Sequence, residues 1–232
     1  RVGPYELLDP IGQGGMGAVY RATDLRLKRV IAIKIIKADY FGDRTALRRF
    51  EREALVVAQL NHTNIVEVYD YGQTPTGGAW VVMELVKGAT LRDELNRLKK
   101  LPTKLVIRLF EQLFDGVAAA HGFGVIHRDL KPENIVLLRL EDGTLQVKIL
   151  DFGLAKLRHA IQGISAKDTR SITEAGLLIG TPSYMSPEQL SGGVAGEESD
   201  IFALGVMLVE ALTGERPFQG RTQAVQLELQ GS

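Results

Sequence analysis

The 232-residue sequence contains no cysteine, which excludes a disulfide framework and any cysteine-ligated zinc and fits a reducing compartment such as the cytoplasm. It has no excess of charge: 28 Lys+Arg stand against 28 Asp+Glu. That balance removes the electrostatic case for a nucleic-acid or membrane-surface binder. Long hydrophobic runs are missing too, since stretches such as Ile201–Val209 fall far short of the ~20 residues that a membrane span needs. No signal peptide precedes the first motif, and no repeat or low-complexity tract is visible. The four histidines, His62, His121, His127 and His159, lack metal-ligand spacing. What remains is ordinary globular material, 45% hydrophobic and 24% charged, enough for one large domain or two small lobes.

Up to about residue 86 the pattern is mostly strand-like. Tyr5–Ile11, Gly17–Thr23 and Val30–Ile36 are short β-prone stretches between turns, and Ile65–Tyr71 and Ala79–Leu85 read as two more. One helix interrupts them over residues 44–60, where Leu47, Phe50, Ala54, Val57 and Leu60 recur every three or four residues. Beyond Gly88 helices take over. Thr90 followed by Asp93 forms a capping-box pattern, and Pro102 opens a longer helix with a stripe at Leu105, Leu109, Leu113 and Val117. Short strands are expected at Ile135–Leu138 and Gln146–Ile149, a long loop over residues 156–180, and a nearly all-apolar, buried helix over Ser199–Thr213. The outline is a small β-rich lobe, residues 1–86, and a larger mainly helical lobe, residues 87–232.

Three strings carry chemistry. Gly12-Gln-Gly14-Gly15-Met-Gly17-Ala-Val19 contains the spacing G-x-G-x-x-G, which alone marks a turn as often as a site. A dinucleotide site needs the glycines to open a helix. Here the residues after Gly17 look like a strand, so a glycine hairpin whose bare N–H groups close over phosphates is the better reading. Nothing matches a P-loop. Lys34, in Ile31-Ala32-Ile33-Lys34, shares a strand face with the small Ala32 that would look towards this hairpin, and Glu53 is a candidate anion to fix it. The decisive string is His127-Arg-Asp129-Leu-Lys131-Pro-Glu-Asn134, followed by Asp151-Phe152-Gly153. Asp129 offers a carboxylate to accept a hydroxyl proton, and Lys131 can neutralise a transferring phosphoryl group. Asn134 and Asp151 are hard oxygen ligands suited to Mg²⁺. Capping or turn roles explain single residues of this set but not the whole ordered series.

Taken together, the motifs resemble the eukaryotic-type protein kinase catalytic domain over about residues 5–218, with a flavour closest to the bacterial eukaryotic-like Ser/Thr kinases. Gly14-Gly-Met-Gly, Arg49-Phe-Glu-Arg-Glu53-Ala and Gly180-Thr-Pro-Ser-Tyr-Met-Ser-Pro-Glu188-Gln look like that group. The resemblance implies an α+β, bilobal fold: a small antiparallel β lobe with one helix, and a larger, mainly helical lobe, here C-terminally truncated. It implies that Gly12, Gly14 and Gly17 cover ATP, with Ile11 beside them, and that Lys34 holds the α/β-phosphates while paired to Glu53. Asp129 is then the catalytic base, Lys131 contacts the γ-phosphate, and Asn134 and Asp151 hold Mg²⁺, or Mn²⁺ in its place. Met83 becomes the gatekeeper, Glu84 and Val86 meet the adenine edge through their backbones, and Val19, Ala32 and Val136 sandwich the ring.

Lys131 in its local string and Thr181 resemble the Ser/Thr-specific branch. The expected substrates are Ser/Thr hydroxyls of proteins. The stretch from Asp151 to Glu188 looks like an activation loop, with Thr169, Ser171 and above all Thr173 as phosphate acceptors and Arg128 as the guanidinium that would receive the phosphate. By the same resemblance a homodimer through the small lobe is open to the chain. The ends, Arg1-Val-Gly-Pro and Gln230-Gly-Ser, read as those of an excised segment, so an exposed apolar flank is expected on the helical lobe and Glu188 lacks the arginine that the family normally pairs with it. The alternative to an active kinase is a pseudokinase or ATP-binding scaffold. A dehydrogenase rests on the glycine spacing alone.

Overall fold

A computed structural model describes residues 1–14, 17–41, 44–152 and 182–218. The five-stranded antiparallel sheet that opens the chain consists of β1 (Tyr5–Gly14), β2 (Gly17–Asp24), β3 (Arg29–Ile36), β4 (Val68–Gln73) and β5 (Ala79–Met83), in the order β1-β2-β3-β5-β4. Its two faces are sorted by the period-two alternation of the strands. On one face Ala32, Ile36, Val81 and Met83 pack with Leu47, Phe50 and Ala54 of helix α1 (Arg44–Val57). On the other, Ala22, Ile31, Ile33, Trp80 and Val82 gather around Tyr5. Val19, Lys34 and Val81 lie in one cross-strand row. Lys34 therefore belongs to the α1 face with Ala32, as the alternation requires.

A second, three-stranded sheet is formed by β6 (Ala89–Thr90), β7 (Ile135–Arg139) and β8 (Leu145–Ile149). Ile135, Leu137, Val147 and Ile149 turn into the large helical core with Leu109, Leu113 and Val117 of α3 (Thr103–Gly122). The Thr90–Asp93 capping box is present at the start of α2 (Leu91–Leu98), with both reciprocal hydrogen bonds made. A short α4 (Pro187–Leu190) precedes α5 (Glu197–Thr213), whose Ala203, Leu204, Val206, Met207 and Ala211 are buried.

Three elements differ from the sequence expectation. The fourth strand begins at Val68, because Ile65 is drawn into the helical core and pairs instead with Ile149. Asn64 O accepts from Ile149 N at 2.8 Å and Val66 N donates to Ile149 O at 3.0 Å. The buried face of α3 includes Val106 and Phe110, while Leu105 is only partly buried. The two-residue strand β6 is too short to leave a period in the sequence. The long loop expected over residues 156–180 lies outside the described residues, as do Gly153, Thr169, Ser171, Thr173 and Thr181.

Gly17 stands where β2 leaves the glycine turn. A Cβ there would lie 1.8 Å from the Ile35 carbonyl oxygen, which is backbone and has nowhere to go. Gly17→Ala is expected to force β2 off β3 at a cost of about 1–3 kcal/mol, lowering Tm by about 2–10 °C in a thermal melt. A Tm equal to the parent's would show that this close approach is not needed.

Candidate active site

The loop from His127 to Asn134 is fixed from beneath by one buried carboxylate. Asp200, in the first turn of α5 and 1% exposed, accepts hydrogen bonds from His127 N at 2.8 Å and Arg128 N at 2.7 Å. His121 Nε2 donates to it as well, at 2.8 Å. Arg128 is held at φ +65°, a left-handed conformation costly for a residue with a side chain. The fully buried His127 ring contacts Leu150 O through Nε2 at 2.8 Å and meets Asp129 N through Nδ1 at 3.2 Å. One tautomer, with its proton on Nε2, serves both contacts. His127 is thus a packed support of the loop, and Phe152 lies against its ring with the centroids 4.8 Å apart.

Asp129 emerges from this support with its Oδ2 2.8 Å from Lys131 Nζ. Asn134 Nδ2 donates to Asp129 O at 2.8 Å, which leaves the amide oxygen as the atom directed elsewhere. Leu150 N donates to Asn134 O at 2.8 Å, so the residue before Asp151 is tied to the same loop. Asp151 has φ +61°. Its Oδ2 meets Lys34 Nζ at 2.6 Å. Where the resemblance implied Glu53 as its partner, the ammonium here reaches across the cleft to the carboxylate that the left-handed backbone of Asp151 presents to it. Glu53 stays on α1, behind the same sheet face.

The gatekeeper Met83 and the three residues assigned to the adenine ring come from four strands and both sheets. Val19 is opposite Lys34, Ala32 is opposite Met83, and Val136 lies on β7. Ala32, Met83 and Val136 are buried, and Val19 is half-buried. Ile11 is exposed on β1, where Gly12 pairs with Val19 and Gly14 with Gly17. Glu84 follows β5; its amide bonds Glu67 O at 2.9 Å and its carboxylate bonds Lys148 Nζ at 2.7 Å, leaving its carbonyl and the half-buried Val86 as the backbone edge of the connection. Arg128 directs its guanidinium Nε to Ala195 O at 3.3 Å.

Sequence reasoning missed a second buried network on α5. Arg92 of α2 bonds Glu133 Oε1 and Glu210 Oε1, each at 2.9 Å, and also meets the Tyr184 hydroxyl, which in turn donates to Glu210. Burial disfavours the Arg92 charge, but the Glu210 and Glu133 carboxylates outweigh it and raise its pKa; burial and Glu210 push the Tyr184 hydroxyl up. Glu188, expected to lack the arginine that the family pairs with it, takes a hydrogen bond from Ser199 Oγ at 2.5 Å. Burial pushes its carboxyl up, and hydrogen bonds from Ser186 and Ser199 outweigh that and hold it below the ordinary 4.5.

The chemical content is one carboxylate–ammonium pair on the loop, Asp129–Lys131, and a second, Lys34–Asp151, that spans the cleft, with a run of small and aliphatic side chains above Val136. Such an arrangement suits a polyphosphate and an acceptor hydroxyl. Asn134 and Asp151 fit a divalent ion that keeps several waters: an amide oxygen left over by the Asn134 hydrogen bond, and a carboxylate. Such an ion supplies charge neutralisation on phosphate oxygens. Among the described residues no group of three or more His, Asp or Glu forms a metal cluster, and no helix is long and apolar enough to cross a membrane.

An antiparallel sheet and a helical lobe meet around this cleft, with its loop pinned by Asp200, which is a two-lobed α+β architecture. Comparison with known proteins agrees. The protein kinase domain family matches residues 5–231. The chain is 42% identical over 90% of its length to the serine/threonine-protein kinase pkn3 of Myxococcus xanthus, covering 37% of that protein. It is 40% identical over 95% of its length to the serine/threonine-protein kinase PrkC of Bacillus subtilis, covering 32%, and 40% identical over 94% to PknA of Mycobacterium tuberculosis, covering 48%. This chain belongs to the protein kinase domain family, on its bacterial serine/threonine side, and spans about a third to a half of those curated relatives.

Replacing Asp200 with Ala would strand two buried N–H donors at about 1–3 kcal/mol each and release Arg128 from its left-handed backbone. Tm and kcat should fall together, with Asp200→Asn intermediate; a variant with unchanged kcat would show that Asp200 does not set the loop. For Glu188 the folded pKa lies below the unfolded one, so its contribution is present above pH ~4.5 and is lost as pH falls through the lower folded value. Denaturant titrations from pH 7 to pH 3 should show this loss, and Glu188→Gln should lack it.

Proposed function

We propose that this domain transfers the γ-phosphoryl group of Mg-ATP to serine and threonine hydroxyls of proteins. The observation that carries the reading is the placement of Asp129 and Lys131, 2.8 Å apart, on a loop pinned by Asp200 and tied through Asn134 O to Leu150, the residue before the Asp151 that pairs with Lys34. Asp129 accepts the proton of the attacking hydroxyl, and Lys131 offsets charge on the group in transfer. Lys34 holds the α/β-phosphates, and Glu53, on the helix packed against the same sheet face, is the anion that shares its ammonium once phosphates are bound. Ile11, Gly12, Gly14 and Gly17 cover the nucleotide from the hairpin side, and Val19, Ala32, Met83 and Val136 enclose the adenine. Asn134 and Asp151 hold Mg²⁺, for which Mn²⁺ can substitute.

Positioning and electrostatics supply most of the catalysis in phosphoryl transfer, and this loop is built for both. Regulation follows from Arg128, whose guanidinium stands next to Asp129 in sequence and can receive a phosphate on Thr173, Thr169 or Ser171; Thr181 ties the substrate loop to Asp129 and Lys131. The cysteine-free, charge-balanced sequence supports a cytoplasmic setting. Exposed Leu25, Leu27 and Val30 on the small lobe support pairing of two copies there.

Asp129→Asn should lower the rate of phosphate transfer from labelled ATP to a generic basic protein by ~10²–10⁴, about 3–5 kcal/mol of barrier. Lys34→Met should abolish it. Full autophosphorylation in the Asp129 variant would remove the assignment, and ATP binding without any transfer in the parent protein would favour a scaffold.

A further inference from the structure

Lys148 has no part in the motifs that define the site. In the β7–β8 pairing it stands directly opposite Val136, and opposed residues of an antiparallel pair point to the same face. Ile135, Leu137, Val147 and Ile149 take the other face into the helical core, so Val136 and Lys148 look towards the small lobe together. The Lys148 side chain is only 12% exposed. Its ammonium donates to Glu84 Oε2 at 2.7 Å and to Ile65 O at 3.3 Å.

Glu84 begins the connection between the lobes, and Gly88 ends it. At Gly88 a Cβ would lie 2.3 Å from Leu137 O and 2.9 Å from Val136 Cγ1, so the backbone there sits hard against β7. The connection is thus fastened at both ends: at Gly88 by close backbone contact that only glycine permits, and at Glu84 by the Lys148 ion pair. The Glu84 carbonyl and the Val86 backbone groups lie between these two fastenings.

We propose that Lys148 is a positioning residue for the nucleotide. By holding the Glu84 carboxylate it sets the orientation of the Glu84 carbonyl, and with it the discrimination of adenine from guanine. The inference rests on the ATP reading above. Adenine presents an amino donor where guanine presents a carbonyl acceptor, so a carbonyl fixed at that edge attracts one base and repels the other. A site that commits a polar group to one pattern rejects the other strongly only while that group cannot turn.

The test measures ATP and GTP affinities by thermal-shift titration, and kcat and KM for both nucleotides, in the parent, Lys148→Met, Lys148→Arg, Glu84→Gln and the Lys148→Met/Glu84→Gln double variant. Lys148→Met is expected to raise KM for ATP by roughly threefold to tenfold and to narrow the ATP-to-GTP ratio by a similar factor, with kcat nearly unchanged. Lys148→Arg should keep most of the discrimination, and the double variant should be no worse than the worse single one. An unchanged ratio in Lys148→Met overturns the proposal. So does a fall in Tm and kcat with the ratio intact, which a merely structural role would give. A parent protein that binds ATP but transfers nothing would overturn the kinase reading alone, and the affinity ratio would still decide the role of Lys148.

Discussion

The carboxylate of Asp200 is the constraint on which the catalytic loop depends. It is buried, and a buried charge is tolerated only when it is met by donors. Three donors meet it: two consecutive backbone amides, His127 N and Arg128 N, and the His121 ring. Two adjacent N–H groups can converge on one carboxylate only if the chain turns sharply between them, and the left-handed φ of Arg128 provides that turn. The strain costs about 1–2 kcal/mol, whereas hydrogen bonds to a charged acceptor contribute about 1.5–3 kcal/mol each. The bonds win, and Asp129, the next residue, is delivered to the cleft in one orientation.

The same trade recurs at Asp151. Its left-handed backbone is held by Leu150, which is fastened on both sides: its amide to Asn134 O and its carbonyl to the His127 ring. His127 therefore joins the two strained positions. Its backbone answers to Asp200, and its imidazole answers to the residue before Asp151. Non-glycine residues at positive φ are uncommon, and of the four among the described residues two stand at these carboxylates, Arg128 just before Asp129 and Asp151 itself. The lobes meet around this centre through a few strong contacts. Segment 64–66 is sewn to Ile149 by backbone hydrogen bonds, Lys148 binds Glu84, and Lys34 binds Asp151.

Local periodicity carries the elements that pack on one face. The alternation of Ala32 and Lys34 against Ile31 and Ile33 places Lys34 on the α1 side, and the helical steps of Leu109, Leu113 and Val117 place α3 on the core. The chemistry of Asp129, Lys131, Asn134 and Asp151 is likewise legible, because those residues lie close together in an ordered string. Non-local partnerships are not. Nothing near Lys34 in sequence shows that its ammonium spans 117 residues to Asp151 rather than 19 to Glu53. Nor does the β-like run from Ile65 reveal that Ile65 leaves the sheet, since the attraction comes from Ile149 and the helical core. Periodicity reports which face is apolar; it is silent on which of two apolar cores claims a residue.

The sequence carries one further signal, in α5. The α5 helix is apolar on nearly every side; Ile201, Val209 and Leu212 are left exposed, and acidic residues on its buried face must have partners. Asp200 and Glu210 are those residues, both buried, ten positions and so roughly 15 Å apart along the axis. At about 100° per residue they are also within roughly 80° of each other around it, on one side of the helix. Each has become the centre of a network that reaches the same loop from a different end: Asp200 takes the amides at His127 and Arg128, and Glu210 takes Arg92, which also binds Glu133. A helix whose buried face carries two charges is therefore more than core. It is a rigid bar from which the loop is hung at two points, and the spacing of its carboxylates fixes where Asp129 and Lys131, between those points, stand relative to the sheet that carries Lys34.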